Sequence, residues 1–174
     1  MSSIFCFNST TIGNPNAFSD DILRNRIAIT DVVNNSRTLA DLGEYSQLQH
    51  LFTEEVTVDY TSLYEGEVQK FPIQQLVNQW QSTLPGFDAT QHQITIHQIT
   101  IDSDEAKAIS HVRATHRLGN EIWVVGGYYV DELVRTDKGW KVKSIQYNSL
   151  YEEGNRALIK QATANVVNQT NTKN

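Results

Sequence analysis

Two histidines and a tyrosine are the side chains in this sequence best placed to move protons inside an apolar surface. In the alternating stretch 106–118, Ala106, Ala108, Ser110, Val112, Ala114, His116 and Leu118 share one face. Lys107, His111, Arg113 and Arg117 share the other, which has the character of a wet surface. His116 is therefore an ionisable group on an otherwise small, apolar, core-facing row, while His111 belongs to the solvent side. His92 sides with Ile94 and Ile96 against Gln91, Gln93 and Thr95, which turns His92 inward and His97 outward. Tyr60 shares a face with Val56 and Val58, and Tyr129 is in phase with Trp123, Val125 and Gly127. Imidazole titrates near neutral pH, so inward histidines with a phenol can form an acid–base set. The same pattern also suits a pair of hydrogen-bonded core histidines. A metal site is not expected: the histidines lack a compact ligand spacing and no cysteine pair accompanies them.

The carboxylate that could orient such a base is Asp41, at the end of a long helix just before Gly43. Negative charge at a helix C-terminus opposes the macrodipole, so an acid placed there implies a local partner. A solvated surface aspartate is the ordinary alternative. Asp59, Asp102, Asp104 and Asp137 fall at outward or turn positions.

The elements that must hold these groups follow from periodicity. Ser19 is a candidate N-cap, with Asp20 and Asp21 in the first turn. Ile22, Ile29, Val33 and Ala40 then recur at helical spacing as far as about Leu42. After Gly43 a short second helix turns Tyr45, Leu48 and Leu51 or Phe52 inward, and residues 56–64 alternate as a strand. Pro72 suits the first turn of a third helix carrying Ile73, Leu76, Val77 and Trp80, which Leu84–Pro85–Gly86 ends. From residue 90 the period changes to 2, giving strands at about 90–101, 106–118, 121–136 and 139–150 joined by short hairpin turns. Gly126–Gly127 within the third of these predicts a bulge or bend. Helices first and a meander after is the order of an α+β fold. A weak amphipathic stretch after Glu153 predicts a terminal helix, and the closing NQTNTKN a disordered tail.

Composition narrows the function classes. The 174 residues suit one domain, and fourteen basic against twenty acidic side chains give a net charge of −6. With no basic stripe to offset that charge, nucleic acid is not an expected partner. No apolar run approaches the roughly 20 residues of a membrane span. The lone Cys6 allows no internal disulfide, and the short Ile4–Phe7 run is no signal sequence, so a cytoplasmic location is expected.

Five segments, taken in order, carry a family resemblance. LADLGEYSQLQHLF at 39–52, TVDYTSL at 57–63, TQHQI at 90–94, VRATH at 112–116 and DELVRTDKGWKV at 131–142 resemble the SnoaL-like group of the nuclear transport factor 2-like superfamily. The resemblance covers roughly residues 20–150 and runs closest to scytalone dehydratase and its relatives. It implies a cone-shaped α+β fold, in which a strongly curved mixed sheet packs against three N-terminal helices. The domain would span 18–152, with an arm at 1–17 and a helix or disordered tail at 153–174. It also implies roles: Asp41 holds the base His92, His116 is the second histidine, and Tyr60 holds a water against a substrate carbonyl. Tyr129, Trp80, Val112, Ala114 and Trp123 are the expected pocket residues. Two departures alter substrate recognition and argue against the fungal melanin substrate: Ala40 replaces a tyrosine of the dehydratase, and Tyr129 an asparagine. The GGYYVDELVRTDKGWK run is also similar to the dehydrochlorinase branch, without a match to that branch's helix lysine.

The expected function is a cofactor-independent lyase, a dehydratase of a small, cyclic or open-chain hydroxy-carbonyl compound. An isomerase or cyclase using the same base, or a non-catalytic ligand-binding or assembly domain, is the alternative. No cofactor is expected, and self-association as a dimer or trimer is.

Overall fold

The computed structural model describes residues 19–95 and 98–171. The N-terminal arm with Cys6, and the outward assignment of His97, lie outside the described residues. Helix α1 spans Asp20–Leu42 and α2 Tyr45–Leu48, followed by strands β1 (Phe52–Asp59) and β2 (Gln69–Pro72) and helix α3 (Ile73–Gln81). Strands β3 (Ala89–Ile94), β4 (Gln98–Asp102), β5 (Glu105–Leu118), β6 (Glu121–Thr136) and β7 (Gly139–Gly154) lead to α4 (Leu158–Asn171). Together the strands make one seven-stranded sheet in the order β2-β1-β7-β6-β5-β3, with β4 also paired to β5. The sheet curls but does not close. The β1–β7 pair is parallel and the others are antiparallel, which makes it a mixed sheet.

Helix α1 begins where Ser19 accepts a hydrogen bond from the Ile22 amide. It ends at Gly43, whose φ of +73° is the left-handed cap that glycine adopts at little cost. Its buried face is Ile29, Val33, Ser36, Arg37 and Ala40. Ile22, expected in that set, is 42% exposed. Side-chain links near its start tie the helix to the sheet. Arg26 donates to the Ile99 carbonyl of β4 at 2.9 Å, and the Trp140 indole of β7 donates to Asn25 at 3.2 Å.

The inward row of β5 is as parity predicts: Ala106, Ala108, Ser110, Val112, Ala114 and His116 are all buried. Its alanines and Val112 join Leu48, Phe52, Val56, Leu76, Leu133 and Ile145 in one core. Burying each large aliphatic side chain contributes about 1.5–3 kcal/mol.

Several elements differ from expectation. The strand expected at 90–101 is two strands, β3 and β4, which pair with opposite halves of β5. β1 starts at Phe52 rather than residue 56, and β2 pairs with it although its four residues are too few to show alternation. Pro72 precedes the first helical residue of α3 instead of lying within its first turn. The polar run from Asn168 to Asn171 is helical, because α4 is anchored by buried Leu158 and Ala162. The predicted bulge is present: the β6–β7 register shifts between Gly126 and Gly127. A Cβ on Gly127 would lie 2.2 Å from the Asn148 carbonyl oxygen, so the strands approach there too closely for a side chain. No described helix is long and apolar enough to cross a membrane.

Candidate active site

The curl of the sheet leaves a cavity of about 480 Å³ between its concave face and the helices. Parity delivers His92 from β3 and His116 from β5 into its wall, one strand apart. Their rings meet edge to face with centroids 5.9 Å apart. Tyr60, just past β1, also lines it, as do Trp80 of α3, Trp123, Val125 and Tyr129 of β6, and Ala114 of β5. Val112 does not. It lies in the packed core, because parity fixes which face a residue takes but not how far along the row the cavity extends.

Asp41 reaches His92 twice. One carboxylate oxygen accepts from the His92 ring Nδ1 at 2.7 Å, the other from its backbone N–H at 2.7 Å. Thr90 Oγ1 donates a third hydrogen bond at 2.8 Å. Burial would raise the Asp41 pKa, but the hydrogen bonds and charge of His92 outweigh it and hold the carboxyl below its ordinary value. The ionised acid therefore fixes the tautomer with the proton on Nδ1 and the lone pair on Nε2, the remaining ring nitrogen. The unfavourable end of the α1 dipole is met by these donors.

His116 is 5% exposed and stacks between Trp123 and Phe87, at 4.7 and 5.1 Å between ring centroids. Its Nδ1 donates to the Trp123 carbonyl at 3.3 Å. Burial first, and the neighbouring His92 second, lower its pKa to about 4. At neutral pH it is therefore an uncharged imidazole whose Nε2 can accept. Burial raises the Tyr60 pKa to about 12, so its hydroxyl stays a donor.

Two charged residues at this site escaped the sequence reading. Arg37 and Asp131 form a buried ion pair, Nη2 to Oδ1 at 2.7 Å, with Arg37 in the cavity wall. The signal was there: Arg37 is four residues beyond Val33 on the inward face of α1, and Asp131 is in phase with Tyr129 and Leu133. Among the described residues no group of three or more His, Cys, Asp or Glu side chains is arranged to hold a metal.

Comparison with known proteins follows the same outline. The profile of the SnoaL-like domain matches residues 21–146. The Kfla4162 protein of Kribbella flavida is 32% identical, with a TM-score of 0.75 over 79% of this chain and 98% of that one. A provisionally named scytalone dehydratase of Novosphingobium aromaticivorans is 22% identical, with a TM-score of 0.68 over 80% and 93%. A LinA-type3 hexachlorocyclohexane dehydrochlorinase of Novosphingobium barchaimii is 20% identical, with a TM-score of 0.64 over 78% and 93%. A search of curated proteins gives no match. The last two likenesses are of fold. On the profile match and the Kribbella relative, the chain belongs to the SnoaL-like domain family of the nuclear transport factor 2-like superfamily.

Proposed function

We propose that the protein is a cofactor-independent lyase that dehydrates a small hydroxy-carbonyl compound. The observation that carries this reading is the Asp41–His92 hydrogen bond, with the His92 ring set in the wall of an open cavity. His92 Nε2 takes the proton from the carbon α to the carbonyl. The C–H electron pair becomes the C=C bond of an enolate, whose oxygen is supported by the Tyr60 hydroxyl through a water. The enolate then re-forms the carbonyl and expels the β-hydroxyl, which leaves as water with the proton held on His92. The product is an α,β-unsaturated carbonyl compound, and His92 is restored.

Of the two histidines, His92 is the acid in this scheme as well as the base. His116, uncharged and already donating from Nδ1, offers Nε2 as an acceptor that orients the substrate hydroxyl. A positioned base contributes about 10²–10⁴-fold. The likeness of fold to a named dehydratase and a dehydrochlorinase supports an elimination, since both names describe loss of a small molecule across a C–C bond. A purely structural histidine pair would sit in a filled interior, and the cavity beside His92 disfavours that alternative. An isomerase or cyclase would share the first proton abstraction and is separated by its product.

The test is a panel of β-hydroxy ketones, with formation of the conjugated product followed by absorbance and mass. Activity that is lost in His92→Ala and Asp41→Asn is the expected result. Activity retained in both variants sinks the assignment.

A further inference from the structure

The cavity wall carries an ion pair that the elimination does not use. Arg37 and Asp131 are 5% and 0% exposed, Ser36 accepts from Arg37 Nη1, and the Tyr129 ring lies over the guanidinium with its centroid at 4.1 Å. Arg37 is the only lysine or arginine among the described residues lining the cavity. Its charge is already met by Asp131. The exposed part of the same wall holds Glu65 and Glu67, and Asp41 stands behind His92. An arriving carboxylate would give up its water for a wall whose one cation is taken and whose other charges are negative. An uncharged ring loses little water, and Trp80, Phe87 and Trp123 offer it aromatic surface.

We propose that the Arg37–Asp131 pair sets the ligand class of this cavity, admitting uncharged ring carbonyl compounds and turning carboxylates away. The carbonyl part of this class rests on the lyase reading; the charge selectivity rests on the pair and the acidic residues around it. Asp131 is thus a specificity-determining residue without touching the ligand, because it cancels a cation that would otherwise recruit anions.

The test is calorimetric titration at neutral pH with 2-tetralone and with 1,2,3,4-tetrahydro-2-naphthoate, which share a bicyclic skeleton and differ in charge. The native protein is expected to bind the ketone roughly tenfold or more tightly than the carboxylate. Asp131→Asn frees the guanidinium and should shift that ratio roughly tenfold or more toward the carboxylate. The double variant Arg37→Met/Asp131→Asn should return it to the ketone. Equal or tighter binding of the carboxylate by the native protein overturns the proposal, and so does an unchanged ratio in a folded Asp131→Asn. Binding of neither probe at millimolar concentration overturns the ligand class. If Asp131→Asn does not fold, the native ratio decides. These are binding measurements, so the same ratio in His92→Ala separates this inference from the fate of the lyase reading.

Discussion

The carboxylate of Asp41 spans the ring and the backbone of His92, one oxygen to Nδ1 and the other to the amide nitrogen, both at 2.7 Å. The second bond ties the acid to β3 itself, so the carboxylate that orients the ring is held by the strand that carries it. Asp41→Asn keeps an acceptor for the backbone N–H but removes the charge that selects the Nδ1–H tautomer. Turnover should fall by about 10²–10⁴-fold while circular dichroism stays native. A variant with full activity would show that His92 needs no orienting acid.

The pH dependence of stability has a defined sign. Unfolded, His116 takes a proton near its ordinary 6.5; folded, only near about 4. Between those values the unfolded chain holds the extra proton, so acidification favours unfolding. The contribution is complete above about pH 6.5 and lost by about pH 4, on the order of 3 kcal/mol in all. Asp41, with its pKa lowered, adds a further loss only below the usual carboxylate range. Denaturant titrations across this window should be visibly flatter for His116→Gln, which can still donate to the Trp123 carbonyl.

Tyr60→Phe removes the donor proposed to support the enolate. The expected outcome is a fall in kcat of about 10²–10³-fold with KM little changed, since the interaction matters most when charge develops on oxygen. A rise in KM alone would assign Tyr60 to ground-state binding.

Arg37→Met and Asp131→Asn should each destabilise the protein by about 3–5 kcal/mol, because each leaves one buried charge unpaired. The double variant should recover most of that loss. A thermodynamic cycle from urea denaturation measures it, and strictly additive losses would contradict the pairing.

Gly127→Ala forces a Cβ to within 2.2 Å of the Asn148 carbonyl oxygen, where backbone on both strands must move. A loss of about 1–3 kcal/mol is expected, with weakened amide protection in β6 and β7. Unchanged stability would mean the bulge can open at little cost.

Much of the fold was legible because it is written in short-range patterns. Helix phase located most of the α1 core, Gly43 its end, and period 2 the full length of β6. The break between β3 and β4 was passed over although it changes the phase: Thr90, His92 and Ile94 are the half-buried residues of β3, Ile99 and Ile101 those of β4, and both strands pair with β5. β2 was invisible because four residues carry no period, and it forms only where β1 offers an edge. Arg37 and Asp131 were readable by phase but passed over, because charged residues are usually assigned to the surface.

The sequence by itself determined which side chains of β5 face inward and where α1 stops, and it marked Asp41 as an acid placed against the dipole, with a partner or solvent both open. Tertiary structure decided who that partner is. Asp41 and His92 are 51 positions apart, and Arg37 and Asp131 are 94 apart. Periodicity is a property of neighbouring residues, whereas these pairings depend on how far the sheet curls and how α1 lies across it. The same packing sets the depth of the cavity and withdraws His116 from water. The chemical character of the site therefore comes from burial, which no local pattern encodes.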